Sequence, residues 1–391
     1  MLNLGIDKLR ALINDKRVKL TLITIFTSLF LVFFFYQRHY QDNPSYLTGD
    51  EPHYIMMTDS LVKDGDFNLK NDYELKRAGH YYTDQGLFPQ LSPVDNLASS
   101  KWYPIHTVGL PLLISLPYAL FGVHGVRIFM IILEFGSVVA FYLILKKYIK
   151  SQVRQRIGLG LILVCSLFWQ NLGSVFPDLI LITMWGSLVL LFGKKSRTSN
   201  LAFTAIYLTA TLVHPKALTL MTPLFIFQVA WLVKEIGPRQ YLRKYWLSIG
   251  LLLVGFLAST RYLYYNYGIF SPTQLYSNHS QLFAANPIVN LIAILTDRNK
   301  GLFLYFPLLL LAGPYLVRLS QELFGVVSRI TRRTVRLSKE HFLLAGLTFG
   351  LGSLLVTLLG FEDWSGSAGP NGRTMLPFIF VFIFVVSRYV N

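Results

Sequence analysis

Cysteine is almost absent from this chain, and its scarcity excludes whole classes of structure. Cys165 is the one cysteine among 391 residues, and it lies inside an apolar run. An intramolecular disulfide and a thiolate-based metal site are therefore both excluded. The histidines do not supply a replacement, because His53, His80, His106 and His214 show no H-x-x-x-H or HExxH spacing. No metal site is predicted from spacing alone.

Long polar stretches are also few, and apolar runs dominate instead. Hydrophobic residues make up 53% of the chain. Because several runs approach the length that crosses a bilayer, we predict an all-α, polytopic transmembrane bundle of about ten spans. The spans are expected at residues 20–37, 126–145, 157–173, 177–193, 200–214, 217–233, 245–265, 301–317, 341–360 and 374–390.

Lys and Arg cluster between these spans, and the clusters predict the orientation. The basic connections are residues 8–19, 146–156, 194–197, 234–244 and 318–339, and the positive-inside rule places them in the cytoplasm. The basic N-terminal segment and run 20–37 resemble a signal sequence, but no small-residue cleavage site follows. We therefore predict an uncleaved first span with a cytoplasmic N-terminus. The net charge of +16 then reflects topology rather than nucleic-acid binding.

Residues 105–121 are apolar but contain Gly109, Pro111 and Pro117. If this segment crossed the membrane, every later basic cluster would fall outside the cytoplasm. We therefore predict that it is a helix lying on the outer membrane surface. The first extracytoplasmic loop then spans residues 38–125, and further outer loops span 266–300 and 361–373.

Acidic residues are scarce except in the first of these loops. Half of the 20 Asp and Glu residues lie between Asp42 and Asp95. A membrane protein that gathers carboxylates on one water-facing loop is expected to use them for chemistry or ligand binding. Asp50 and Glu51 are adjacent there, just before a helix predicted to begin at Pro52 and to end at Gly65.

The position of Asp50 and Glu51 at a helix start has two interpretations. The helix dipole favours an ionised carboxylate at that end, which suits a base that must be deprotonated at neutral pH. The alternative is an N-cap with a companion charge and no chemistry.

Further short motifs follow one another along most of the sequence. They are Gly49-Asp50-Glu51-Pro52-His53-Tyr54 with Asp64-Gly65-Asp66; Gly109-Leu110-Pro111 leading to Phe121-Gly122 and Arg127; Asp297 to Phe303 with Pro307; and Trp364-Ser365-Gly366 with Pro370, Arg373 and Pro377. Together they resemble the GT-C superfamily of membrane glycosyltransferases, which includes protein O-mannosyltransferases and the aminoarabinose transferases that modify lipid A. The resemblance implies transfer of a sugar from a polyprenyl-phosphate carrier to an acceptor hydroxyl, with inversion, outside the cytoplasm of a bacterial inner membrane.

The resemblance also implies roles for the acidic residues. Asp50 is expected to be the general base for the attacking hydroxyl, and Glu51 to position acceptor or sugar hydroxyls. Asp178, in Phe176-Pro177-Asp178, occupies the place of a second external acid, with a helix-start carboxylate as the alternative. Glu134 lies in mid-span, and we expect its depth to separate it from the site.

The leaving group would be a lipid phosphate, so cations are expected to meet its charge. The candidates are Lys216, Arg298, Lys300 and Arg373. Snorkelling anchors at the membrane interface are the alternative for each. His53, Tyr54 and Trp364 are expected to contact the acceptor or sugar, although aromatic residues also form interfacial belts.

Cofactors and competing functions remain open at this point. No cofactor is required by the expected reaction, but a divalent metal held by Asp50, Glu51 and a histidine is an alternative. The expected partners are a polyprenyl-phosphate sugar, membrane lipids and a glycan, lipid or protein acceptor. A transporter or flippase of a lipid-linked sugar would need binding but no base, and a noncatalytic scaffold would need neither.

Overall fold

The computed structural model describes residues 47–77, 87–91, 101–270, 286–297, 301–305, 338–360 and 373–389, together with 314, 317 and 321. The chain divides into two compact units, one of residues 1–47 and 78–87, and one of residues 48–77 and 88–391. Leu47 and Leu87 are the described residues of the first unit. The elements below all belong to the second unit.

The described part of the chain is built from α-helices and contains no β-strand. The helices are α1 (Glu51–Lys63), α2 (Lys70–Glu74), α3 (Gly109–Tyr148), α4 (Gln152–Leu163), α5 (Ser166–Asn171), α6 (Pro177–Leu191), α7 (Arg197–Val213), α8 (Lys216–Ile236), α9 (Pro238–Lys244), α10 (Trp246–Tyr267), α11 (Pro287–Thr296), α12 (Leu302–Tyr305), α13 (Lys339–Gly360) and α14 (Leu376–Tyr389). A 3-10 turn, Arg373–Met375, leads into α14.

Four of the described helices, α3, α8, α10 and α13, are long and apolar enough to cross a membrane. Helices α6 and α11 are apolar but shorter. These helices indicate a membrane protein, as the hydropathy predicts. The expected total of ten spans stays a prediction, because residues 20–37 and most of 301–317 lie outside the described part of the chain.

The span predicted over residues 157–173 is not one continuous helix, and whether this segment crosses the membrane stays a prediction. Helix α4 ends at Leu163 and α5 begins at Ser166, because Cys165 between them adopts an extended conformation. The indole Nε1–H of Trp169 donates to the Leu163 carbonyl oxygen at 2.6 Å, which satisfies an acceptor at the end of α4. Hydropathy does not report such a local hydrogen bond, so it could not predict the break between α4 and α5.

The boundary predicted between a surface helix and the next span coincides with a sharp bend in α3. At Gly122 the backbone has φ 60° and ψ −151°, a conformation that glycine adopts readily and other residues do not. The chain folds back so closely that a Cβ on Gly125 would lie 2.4 Å from the Pro117 carbonyl oxygen. The bend separates arms 109–121 and 123–148, and the placement of the first arm on the membrane surface stays a prediction.

Helix α1 begins and ends as predicted. Pro52 lies in its first turn, and Gly65, with φ +77°, follows its C-cap. Helix α1 packs against α3, and α3 packs against α6. These contacts bring the N-terminal ends of α1 and α6 to the same part of the fold.

Small residues allow a second close contact, between α8 and α13. A Cβ on Gly350 would lie 2.3 Å from the Leu220 carbonyl oxygen, and one on Gly346 would lie 3.0 Å from the Leu224 Cα. Glycines four residues apart are the usual means by which membrane helices approach one another closely.

Candidate functional site

Asp178 is the centre of a buried group of charges. It lies in the first turn of α6 after Pro177, and its side chain is 7% exposed. Its Oδ1 lies 3.1 Å from Lys216 Nζ, and its Oδ2 lies 3.2 Å from Arg373 Nε. Lys216 begins α8, whereas Arg373 begins the 3-10 turn before α14. The structure therefore brings together three predicted site residues that are far apart in sequence.

Arg373 extends this group to Asp50. Its Nη2 lies 3.7 Å from Asp50 Oδ2. The guanidinium carbon lies 3.9 Å from the centroid of the Phe176 ring, a cation–π contact that fixes the plane of the group. Arg373 is 6% exposed but Asp50 is 35% exposed. Asp50 is thus the solvent-facing end of a row of charges that runs Lys216, Asp178, Arg373, Asp50.

The environment of Asp50 suits a proton acceptor. Asp50 occupies the N-cap position of α1 without a side-chain capping hydrogen bond, so its carboxylate is not committed to the helix. Burial raises the pKa of Asp50 above its ordinary value of 3.8, against the opposing effects of Arg373, His53 and Lys216. A carboxylate with a raised pKa is a stronger base.

Glu51 has a different environment from its neighbour. Its side chain is buried, and both oxygens accept hydrogen bonds from the protein. Oε1 accepts from the Val175 N–H at 2.6 Å, and Oε2 accepts from the Thr48 N–H at 2.8 Å. Burial raises the pKa of Glu51, although Arg127 and these hydrogen bonds oppose the shift. Its predicted contact with a sugar stays a prediction, and in the structure Glu51 ties the start of α1 to residues 172–176.

Glu134 holds the same short segment from the other side. It lies on α3 with its side chain fully buried, and its Oε2 accepts from the Gly173 N–H at 2.5 Å. Glu134 was expected to lie apart from the site, and the structure links it to Gly173, five residues before Asp178. Sequence reasoning missed the link between Glu134 and Gly173. The position of Glu134 in the middle of a span could have indicated a partner, because acids at that depth are usually paired.

His53 and Tyr54 lie on the buried side of α1. His53 Nδ1 lies 3.0 Å from the Tyr73 hydroxyl oxygen, and the Tyr54 ring centroid lies 4.9 Å from that of His106. Burial lowers the pKa of His53 to about 3 and that of His106 to about 4. Both histidines are therefore neutral at pH 7. The predicted contact of His53 and Tyr54 with acceptor or sugar stays a prediction.

Three predicted site residues, Arg298, Lys300 and Trp364, lie outside the described residues. Across the ranges that the structure covers, no group of three or more His, Cys, Asp or Glu side chains is placed to hold a metal ion. Comparisons with protein-family models, with curated proteins and with solved structures found no match. The relationship to GT-C enzymes stays a prediction from the motifs.

Proposed function

We propose that this chain is an integral membrane glycosyltransferase of a bacterial inner membrane. It moves a sugar from a polyprenyl-phosphate carrier to an acceptor hydroxyl on the extracytoplasmic side, with inversion. The observation that carries the proposal is the position of Arg373 between Asp50 and the Asp178–Lys216 pair. A partly exposed carboxylate beside a fixed cation matches the two needs of the reaction, a base and a partner for an anionic leaving group.

Each group has a defined task in the transfer. The acceptor oxygen attacks the anomeric carbon while Asp50 takes the hydroxyl proton. The bond between that carbon and the phosphate oxygen breaks, and polyprenyl phosphate leaves with the electron pair. Arg373 and Lys216 stabilise the charge that develops on the phosphate. A positioned base contributes roughly 10²–10⁴-fold to the rate, and the scheme requires no cofactor.

The test follows release of free polyprenyl phosphate from a panel of polyprenyl-phosphate sugars by purified protein in detergent. We expect release by the wild type and a loss of roughly 100-fold or more in Asp50→Asn, because the amide accepts no proton. Glu74→Gln is the matched control, since Glu74 is an exposed carboxylate at the end of α2. It should leave the rate unchanged.

Three other outcomes would contradict part of the proposal. Equal release by wild type and Asp50→Asn would remove Asp50 from the role of base. Donor binding without release, in the presence of candidate acceptors, would contradict the transferase and favour a carrier of lipid-linked sugars. Absence of donor binding in the wild type would contradict both functions.

A further inference from the structure

A cavity of about 460 Å³ lies among α3, α6, α13 and α14. We name it the inner cavity. Its α6 residues run from Ile182 to Val189, and its α14 residues run from Phe380 to Arg388. Asp178 and Arg373 lie at the opposite ends of these two elements, so that Arg388 is roughly 20 Å along the helix from Arg373. The inner cavity is therefore separate from the candidate site.

The lining of the inner cavity is mainly apolar. Phe141, Ile144, Leu347, Phe380 and Phe384 are among the residues that form its wall. Its volume falls within the range of pockets that hold small ligands. A wall of this kind accommodates a hydrocarbon chain better than a polar solute.

Two hydrogen-bond donors in this wall have no partner in the described part of the chain. They are the indole Nε1–H of Trp185, whose residue is 5% exposed, and the hydroxyl of Tyr148. Buried donors are normally satisfied, and a ligand that carries acceptor oxygens would satisfy both of these. The phosphate and ester oxygens of a phospholipid are acceptors of this kind.

The charges at one end of the inner cavity favour an anionic head group. Arg388 lines this end together with one acid, Glu340. Lys147 Nζ lies 3.4 Å from the carbonyl oxygen of the lining residue Val189, so positive charge exceeds negative charge there. The same end carries the basic connections predicted to be cytoplasmic. Anionic lipids of the cytoplasmic leaflet attract basic residues at that depth.

We propose that the inner cavity binds one chain of an anionic phospholipid from the cytoplasmic leaflet. The phosphate lies near Arg388 and Tyr148, and Trp185, one helical turn deeper than Val189, donates to an ester oxygen. This site does not depend on glycosyl transfer, because it uses neither Asp50 nor Arg373.

The test measures lipid retained by the full chain in native mass spectrometry after incubation with equal amounts of dioleoyl phosphatidylglycerol and dioleoyl phosphatidylcholine. Wild type should retain one phosphatidylglycerol with roughly fivefold preference, the effect of one basic residue near an anionic lipid. Leu347→Trp, which places a larger side chain in the cavity, should retain less of the lipid. Arg388→Gln should lose the preference, whereas Arg243→Gln, an exposed change on α9, should keep both.

Several results would overturn the proposal. Retention of phosphatidylglycerol by Leu347→Trp at the wild-type level would place the lipid elsewhere. Equal retention of the two lipids by wild type would remove the head-group contact. Displacement of the lipid by equimolar polyprenyl phosphate would identify the occupant as a different lipid. Thr348→Trp, at an exposed position that also lines the cavity, replaces Leu347→Trp if that variant does not fold.

Discussion

Within the candidate site, Arg373 affects the protonation of Asp50. Arg373 lies 3.7 Å from Asp50 and 3.2 Å from Asp178, and it stacks on Phe176. Lysine at position 373 would keep the charge but lose the planar group that reaches both carboxylates. The protonation of Asp50 is therefore coupled to Asp178 through a shared counter-ion.

The first prediction concerns the pH dependence of release. Asp50 acts when ionised, so the rate should fall as pH falls through its pKa, which burial places above 3.8. Asp178 is a like charge that raises this pKa. Asp178→Asn should therefore move the acidic limb of the pH–rate profile to lower pH. A limb that stays in place in Asp178→Asn would separate Asp50 from this network.

The second prediction concerns acid stability. His106 is buried as the neutral form, and its pKa in the fold is about 4 rather than 6.5. The unfolded chain therefore binds the proton first. Stability from this group is complete above pH 6.5 and is lost as pH falls from 6.5 towards 4, by roughly 1.4 kcal/mol per pH unit.

Thermal unfolding in detergent at several pH values measures this slope. His106→Gln does not titrate and keeps an amide that can pair with Gln90, the partner of His106 at 2.8 Å. The variant should lose stability less steeply on acidification. Identical slopes for wild type and His106→Gln would show that the buried ring does not control acid unfolding.

Among the elements, the connection between α5 and α6 links the buried glutamates to the site. Glu51 and Glu134 bind the N–H groups of Val175 and Gly173 from two different helices. Phe176, on which Arg373 stacks, directly follows Val175 in this segment. Both carboxylates therefore hold the backbone that carries the site.

The third prediction tests this positioning. Glu134→Leu leaves the Gly173 N–H without its acceptor and should destabilise the protein by roughly 1–3 kcal/mol. Glu134→Gln retains an acceptor oxygen and should cost less. Unfolding of the purified variants in detergent measures the difference. If the leucine and glutamine variants unfold alike, the hydrogen bond to Gly173 does not organise the segment.

The bend in α3 provides the fourth prediction. A Cβ at Gly122 or at Gly160 would meet no atom within 4 Å, but Gly122 has φ +60° whereas Gly160 lies within α4 without a positive φ. Gly122→Ala should therefore cost roughly 1–3 kcal/mol of backbone strain. Gly160→Ala should stabilise by about 0.5–1 kcal/mol, because it removes glycine from a helix interior. Equal effects on unfolding would exclude strain at the bend.

For the whole molecule, sequence patterns predicted the helical class, the bounds of α1 and the boundary near Gly122. They also selected Asp50, Asp178, Lys216 and Arg373, which the structure brings together. They did not show the break at Cys165 or the hydrogen bonds of Glu51 and Glu134 to residues 124 and 39 positions away. Hydropathy and spacing report local environment, whereas those bonds depend on how distant helices pack.

The fifth prediction tests the orientation of the whole chain. Cys165 is buried, so a Cys165→Ala background provides a chain without thiols. In sealed cells, Asp66→Cys should react with a membrane-impermeant maleimide, because it lies on the predicted outer loop. Arg243→Cys should react only after permeabilisation. Both positions are exposed, and the reverse pattern would invert the positive-inside assignment.

The hydrogen bonds of Glu51 and Glu134 to residues 173–175 have a consequence for genetic screens. A selection for loss of activity would recover changes at both glutamates alongside changes at Asp50, because loss of either glutamate frees the backbone N–H that it holds. Protein abundance would separate the classes, because an Asp50 variant should accumulate normally while the other two deplete. A list of inactive alleles without protein abundance would therefore count variants that fail to fold as variants that fail in catalysis.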